Sequence, residues 1–280
     1  MNIHELLRLM VERGASDLHL RVPSPPVFRI DGGLLFEKEF PEVTVLDMEE
    51  ALEQITTEEQ RKTFYSELDL DLPYSISGLA RFRVHAFLQR GTIALAFRHV
   101  LSNVPSIDEL GLPGACKSLA LKPKGLVLVT GPAGSGKSTT LAAMINHLNK
   151  HERRNVITIE DPIEFLHSNE KCLIAQRDVG GDVRSFATAL RHALRQDPDV
   201  ILVGEMRDLE TMAIALTAAE TGHLVLSSLH ALDAPQTIER IVDAFPAEQQ
   251  RQIRLQLSLV LEGVLSQLLL PFFRFQNCTF

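Results

Sequence analysis

The sequence predicts an α/β fold in which a domain built on a parallel β-sheet follows a smaller α+β domain. From residue 125 onward, apolar strand-like runs alternate with helical segments, which is the pattern of βαβ units. The first hundred residues contain helices and strands without that alternation. The chain has 280 residues and 45% apolar content, which suits two domains of about 150 residues each.

The N-terminal domain, which we place at residues 1–104, is expected to hold short helices and strands. Its predicted helices lie near residues 3–13 and 47–66, and its predicted strands near 17–22, 80–88 and 93–100. Residues 89–91 are the expected hairpin turn between the last two strands. Prolines and glycines punctuate residues 105–124, which predicts a linker and the entry to the second domain.

The second domain is expected to span residues 125–280. Its predicted strands are residues 126–129, 156–159, 200–203 and 224–229, followed in turn by predicted helices at 138–150, 184–195, 209–221 and 235–244. Apolar residues recur at three- and four-residue steps between residues 253 and 268, which predicts an amphipathic helix facing the core. Polar residues interrupt the apolar segment 255–270, which is also shorter than the ~20 residues that span a bilayer.

A phosphate-binding loop lies between the first strand and the first helix of this domain. In the pattern Gly-x-x-x-x-Gly-Lys-Ser, glycines let backbone N–H groups face phosphates and Lys137 neutralises β- and γ-phosphate oxygens. The hydroxyl of Ser138 would bind Mg²⁺, so the loop predicts ATP and Mg²⁺ as cofactors. The alternative is a glycine-rich loop that only turns a strand into a helix. The predicted binding residues are Gly131, Pro132, Ala133, Gly134, Ser135, Gly136, Lys137, Ser138 and Thr139.

Polar residues follow three other predicted strands of this domain. Glu205 ends one strand and could hold Mg²⁺ through water, and Glu160 or Glu164, after another, could polarise the attacking water. His230 follows a third strand, where it could contact the γ-phosphate. Each has a structural alternative: Glu205 could merely begin a loop, the other acids could solvate one, and a lone histidine is often structural.

Three arginines of the first domain are candidate catalytic residues. Alternation along residues 81–86 places Arg81 and Arg83 on a basic strand face, and Arg98 lies on the next predicted strand. An arginine held against a neighbouring subunit's nucleotide can raise the rate by ~10³–10⁵. A solvated basic face is the alternative, and Arg191, Arg195 and Arg207 are weaker candidates for the same role.

Charge and cysteine content restrict the class of protein. The net charge of -8, with no cluster of lysine and arginine, argues against nucleic acid as the main partner. Three widely spaced cysteines fit neither a disulfide framework nor a Cys-x-x-Cys zinc site, which suits a reducing cytoplasm. The N-terminus lacks the pattern of a secretory signal, so we expect the protein to stay inside the cell.

Four sequence blocks together resemble the secretion ATPase superfamily, and more narrowly the type IV pilus retraction ATPases. Residues 131–139, 158–165, 202–208 and 217–225 are similar, in order and spacing, to its Walker A, Asp box, Walker B and His box. Residues 14–20 and 80–84 resemble its N-terminal domain, and the resemblance covers roughly residues 3–270.

The resemblance implies a PAS-like first domain and a RecA-like second domain, with six subunits in a ring that binds nucleotide between the two domains. It gives site roles to Lys137, Ser138, Glu164, Glu205 and His230. It implies a motor for pilus retraction and twitching motility, in the cytoplasm at the inner membrane, acting on a pilus platform protein. A paralogous retraction ATPase is a further candidate partner.

Two other functions are compatible with the same sequence. One is a non-catalytic nucleotide-binding regulatory subunit of a pilus or type II secretion system. The other, disfavoured by the acidic balance, is a nucleic-acid translocase on the same core. The sequence lacks the four-cysteine metal element of extension and secretion relatives, which favours the retraction branch.

The resemblance ends near residue 270, whereas the family continues through further elements. Residues 272–280 resemble the out-of-frame end of a shortened gene, so we expect a C-terminally truncated chain. If the chain is truncated, apolar surface of the second domain would be left uncovered.

Overall fold

The computed structural model describes residues 2–101 and 103–270, which fall into two compact units. The first unit lies within residues 1–102 and the second within residues 103–280. In the part of the chain that the structure describes, none of the helices combines the length and apolar composition needed to cross a bilayer. Predictions for residues 271–280 lie outside the described residues.

The first unit contains a six-stranded antiparallel sheet with the strand order β3-β2-β1-β6-β5-β4. Its elements are α1 (Ile3–Glu12), β1 (Asp17–Leu20), β2 (Val27–Ile30), β3 (Gly33–Phe36), α2 (Val45–Ile55), α3 (Glu58–Glu67), β4 (Asp69–Ile76), β5 (Ala80–Gln89) and β6 (Thr92–Val100). Phe82, Val84 and Ala86 alternate into the core, as the sequence predicts. Arg90 and Gly91 form the expected turn with positive φ angles of 51° and 78°.

The prediction of a single helix at residues 47–66 is wrong, because the structure has two helices there. Helix α2 ends at Ile55, and Thr56 is extended, with φ −122° and ψ 150°. Thr57 then caps α3, accepting a hydrogen bond from the Gln60 N–H while the Gln60 side chain accepts from the Thr57 N–H. This capping box starts a new helix and explains why the helical pattern continues across the break.

The sequence alone does not predict three strands of the first unit, which are β2, β3 and β4. Strand β3 is exposed along its whole length, so it lacks the alternation that marks a half-buried strand. Asp31 and Gly32, with φ 48° and 80°, form a two-residue turn between β2 and β3. Asp-Gly is a common hairpin signal, so this dipeptide could have identified the pair.

The second unit contains a six-stranded parallel sheet with the order β12-β7-β11-β10-β8-β9. Its elements are α4 (Ala115–Ala120), β7 (Gly125–Thr130), α5 (Lys137–His151), β8 (Asn155–Glu160), β9 (Leu173–Asp178), α6 (Phe186–Ala193), β10 (Val200–Val203), α7 (Leu209–Glu220), β11 (Leu224–Leu229), α8 (Ala234–Asp243), α9 (Ala247–Val260) and β12 (Leu261–Ser266).

Both faces of this sheet are covered. Leu126 and Leu128 belong to one hydrophobic cluster, whereas Val127 and Val129 belong to another. Alternate residues of β7 therefore pack on opposite sides, as expected for a parallel sheet between two helical layers. The predicted α/β fold with a parallel sheet is confirmed. Ile107, Cys116 and Ala120, from the expected linker, are buried in the second of these clusters.

The amphipathic helix expected through residue 268 is only partly present. Helix α9 ends at Val260, and the next six residues form β12, which pairs in parallel with β7. Gly263 passes close to Leu119, since a Cβ at this position would lie 2.9 Å from Leu119 Cδ1. The six residues of β12 taken alone are short enough to be either a helical segment or a strand, so periodicity alone gave the wrong element there.

Candidate functional site

The phosphate-binding loop joins the end of β7 to the start of α5. Gly131, Gly134 and Gly136 have φ angles of 150°, 75° and 88°, which side chains rarely allow. Gly136 is the N-cap residue of α5 and offers no side-chain cap. The first-turn N–H groups of α5 are therefore available to an anion, together with the positive end of the helix dipole.

Lys137 is folded back over this loop. Its Nζ atom donates hydrogen bonds to the Gly131 and Pro132 carbonyl oxygens at 3.0 and 2.9 Å, and lies 3.4 Å from Nδ1 of His230. Burial lowers the pKa of Lys137, and the nearby carboxylates of Glu205 and Glu164 oppose that shift. The negative charge of a bound phosphate would favour the charged form of Lys137, which burial disfavours. This ammonium group is therefore suited to binding phosphate oxygens.

Ser138 and Glu164 are joined across the site. The Ser138 hydroxyl, in the first turn of α5, donates to Oε1 of Glu164 at 3.0 Å. Glu164 belongs to the acidic segment that follows β8. The structure thus brings a predicted Mg²⁺ ligand into contact with a predicted water-polarising acid.

Glu205 and His230 come together from neighbouring strands. Glu205 follows β10 and His230 follows β11, and the two strands are parallel partners, so both side chains lie at the same sheet edge. Oε1 of Glu205 lies 3.3 Å from Nε2 of His230. Arg207 donates from Nε to Oε2 of Glu205 at 2.8 Å, which places this weaker candidate in the site.

Glu160 occupies a different position from Glu164. Its Oε1 accepts hydrogen bonds from the Thr158 hydroxyl at 2.6 Å and from Nε2 of Gln176 at 3.1 Å. Burial raises the pKa of Glu160, although these two hydrogen bonds oppose the shift. Of the two candidate acids, Glu164 rather than Glu160 contacts the loop hydroxyl.

These residues line one cavity of about 250 Å³ within the second unit. Its polar wall includes Lys137, Ser138 and Glu205, and Leu141 and Phe186 add apolar surface. His167 also lines the cavity, and burial lowers its pKa to about 4. Polar groups converging on a partly apolar cavity are typical of a small-molecule site.

The three candidate arginines belong to the first unit. Arg98 donates from Nε to Oδ1 of Asp17 at 2.9 Å, and Arg83 lies 3.5 Å from Oδ2 of Asp71. Arg81 lies on β5 with Arg83. Arg83 and Arg98 are thus paired with carboxylates of their own unit, and their catalytic role stays a prediction.

Sequence reasoning missed Gln267, which follows β12. Its backbone N–H donates to the Thr130 carbonyl at 2.8 Å, and its Nε2 donates to the Thr140 hydroxyl at 2.8 Å. No local pattern pointed to this contact, because it depends on β12 lying beside β7. The order of the strands would have been needed to find it.

Known proteins share this arrangement over nearly the whole chain. The family described as "Type II/IV secretion system protein" matches residues 2–276. The chain belongs to this family.

Individual relatives refine the assignment. The chain is 49% identical to the type IV pilus retraction ATPase PilT of Pseudomonas aeruginosa, over 96% of this chain and 78% of that protein. It is 43% identical to the type IV pilus ATPase PilU of the same organism, over 97% and 71% of the two chains. A crystal structure of the pilus retraction motor PilT with bound ADP superimposes with a TM-score of 0.91, at 48% identity and over 97% and 79% of the chains.

The chain is thus PilT-like, and the resemblance to secretion ATPases identified from four sequence blocks is confirmed. Family membership and the likeness to an ADP-bound relative also support nucleotide binding.

Proposed function

We propose that this protein is an ATP-hydrolysing motor for type IV pilus retraction and twitching motility. The observation that carries the proposal is that Lys137, Ser138, Glu164, Glu205 and His230 all line one cavity. They place a phosphate-binding loop beside two carboxylates. One of these, Glu205, could bind a cation, and the other, Glu164, could accept a proton. The similarity to PilT supplies the biological process.

The loop residues Gly131, Pro132, Ala133, Gly134, Ser135, Gly136, Lys137, Ser138 and Thr139 would bind the phosphates of ATP. Backbone N–H groups and the Lys137 ammonium would offset the charge of the β- and γ-phosphates.

Oxygen ligands suit Mg²⁺, and the Ser138 hydroxyl and the Glu205 carboxylate are the proposed ligands, Glu205 acting through water. When bound, the ion supplies charge neutralisation at the phosphates.

Glu164 would place the water that attacks the γ-phosphate and accept its proton. Its contact with Ser138 supports this assignment over Glu160, whose oxygen already binds Thr158 and Gln176. His230 would sense the γ-phosphate, because its ring lies between Lys137 and Glu205.

We further propose a homo-hexamer in which residues 1–104 form a PAS-like domain and residues 125–280 a RecA-like domain. Arg81, Arg83 or Arg98 would then reach the nucleotide of a neighbouring subunit. The motor would work in the cytoplasm at the inner membrane, on a pilus platform protein. The likeness to PilU makes a paralogous ATPase a further proposed partner.

ATP turnover measured together with particle mass tests this function. We expect hexamers by light scattering, with hydrolysis that Lys137→Ala reduces by at least ~10²-fold, because a preorganised charge on the transferred phosphoryl group is lost. Lys150→Ala, in the exposed last turn of the same helix, is the matched control.

Two outcomes would contradict the proposal. ATP binding by oligomers without turnover would favour a regulatory subunit. Stimulation of turnover by DNA would favour a nucleic-acid translocase.

A further inference from the structure

Strand β12 delivers the residues after it to the base of the phosphate-binding loop. It lies at the edge of the described sheet, and its register pairs Leu265 with Val129 and Ser266 with Thr130. Thr130 is the last residue before the loop. The segment that follows β12 therefore arrives where the loop begins, although it is more than a hundred residues away in sequence.

Gln267 binds both sides of the loop. Its backbone N–H donates to the Thr130 carbonyl at 2.8 Å, and the hydroxyls of Ser266 and Thr130 lie 3.1 Å apart. Its side-chain Nε2 donates to the Thr140 hydroxyl at 2.8 Å. Thr140 lies in α5, and its backbone N–H bonds to the Gly136 carbonyl. One residue thus joins the strand that enters the loop to the helix that leaves it.

Packing at the first glycine of the loop strengthens this connection. A Cβ on Gly131 would overlap the carbonyl oxygen of Gln267 and the hydroxyl of Ser135. The backbone of Gln267 therefore lies directly against Gly131, and the loop conformation and the position of Gln267 depend on each other.

Two polar atoms at this contact are buried without a partner. Among the described residues, neither Oε1 of Gln267 nor the hydroxyl of Ser135 has a hydrogen-bond partner. Such groups are rare in protein interiors and often mark functional positions. Both residues pack against Gly131, so this contact contains unsatisfied polar groups as well as close packing.

We propose that Gln267 is a positioning residue of the nucleotide site, which holds the phosphate-binding loop in its anion-binding conformation. This inference rests on the proposed function. Gln267 acts through Thr130, Gly131 and Thr140, all of which it contacts. Without its side-chain bond, part of the loop's ordering would have to occur when nucleotide binds, which would weaken binding.

The expected kinetic signature follows from where the phosphates lie during the reaction. The backbone N–H groups of the loop, unlike Lys137, would hold the β-phosphate in both the ground state and the transition state. A loss of loop order should therefore weaken both equally, which raises KM and leaves kcat largely unchanged. A residue that acted only on the transition state would lower kcat instead.

The test uses Gln267→Leu, which removes the amide at similar volume, and Thr140→Val, which removes its partner hydroxyl. Both variants should raise the Kd for a fluorescent ADP analogue by about three- to tenfold, the equivalent of one hydrogen bond. KM for ATP should rise by a similar factor. Gln256→Leu is the matched control, because its amide binds Glu220 away from the loop, and it should leave Kd unchanged.

The double variant decides whether the two residues act as a pair. If the Gln267–Thr140 bond is responsible, the Kd of the double variant for the ADP analogue should not exceed the higher Kd of the two single variants. Additive losses, or a Kd for Gln267→Leu equal to that of the control, would overturn the proposal. Thr140→Val keeps the test valid if Gln267→Leu does not fold. ADP binding does not require turnover, so this test remains decisive even if the wild-type protein fails to hydrolyse ATP.

Discussion

The hydroxyl of Ser138 donates a hydrogen bond to Oε1 of Glu164 over 3.0 Å. This bond connects the first turn of α5 to the acidic segment after β8, two parts of the chain that the sequence placed in separate motifs. A carboxylate held this close to the phosphate-binding loop is well placed to orient a water molecule beside bound ATP. Its neighbour Glu160 is held by Thr158 and Gln176 instead.

Glu164→Gln should lower kcat by about 10²–10⁴-fold, because an amide can hold the water but cannot accept its proton. Affinity for ADP should change little, since the phosphate-binding loop is intact. Steady-state kinetics and ADP binding by the purified oligomer check both expectations. Glu160→Gln is the matched variant from the same segment and should retain more activity, and a larger loss for Glu160→Gln would reverse the two assignments.

A candidate arginine that serves a neighbouring subunit should show complementation between inactive variants. Each of the three arginines is replaced singly by alanine: Arg81→Ala, Arg83→Ala and Arg98→Ala. The variant that lacks the arginine acting in trans should lose ~10³–10⁵-fold in turnover. Mixed with Lys137→Ala subunits, it should regain activity, because some interfaces then combine an intact loop with an intact arginine. In the control, Lys137→Ala subunits are mixed with subunits that carry both the arginine substitution and Lys137→Ala. No subunit of this mixture has an intact loop, so it should stay inactive.

Stability distinguishes catalytic loss from unfolding in this series. Arg98 pairs with Asp17, which is only 7% exposed, so Arg98→Ala should also lower the melting temperature. Arg83 pairs with the exposed Asp71, so Arg83→Ala should not. Turnover that is unchanged on dilution to monomers would contradict a role in trans for all three.

The sequence predicted the parts of the site that depend on local pattern. Lys137, Ser138, Glu205 and His230 each follow a strand of the parallel sheet, and parallel strands deliver their carboxyl ends to one edge. Gln267 was missed because its role depends on a strand pairing between distant segments. The boundary between α9 and β12 was also missed, because the apolar spacing around Leu261 suits either element.

Gly131→Ala should destabilise the second unit more than Gly134→Ala. Both glycines have positive φ, at 150° and 75°, so both substitutions strain the backbone. Only at Gly131 would the new Cβ also overlap Gln267 and Ser135, whereas nothing lies within 4 Å at Gly134. Thermal melting of the two variants checks this order. Equal melting temperatures would mean that the contact between Gly131 and Gln267 is loose.

His167 should make the folded protein sensitive to acid. Burial lowers its pKa from 6.5 to about 4 in the folded state. Between these values the unfolded chain binds a proton that the folded chain does not, so stability is full above pH 6.5 and falls as pH drops towards 4. At 1.36 kcal/mol per pKa unit, the loss is at most about 3 kcal/mol.

His167→Gln removes this titration while keeping a polar side chain. Its free energy of unfolding, from urea titrations at pH 7 and pH 4.5, should fall less on acidification than that of the wild-type protein. Glu160 acts in the opposite direction, because its pKa is raised above the ordinary 4.5 in the folded state. Its contribution to stability therefore falls as the pH rises above 4.5. Comparing variant with wild type at each pH cancels that contribution. If the free energy of unfolding fell equally in the two proteins between pH 7 and pH 4.5, His167 would be protonated at pH 4.5 in the folded state, and its pKa would not be lowered.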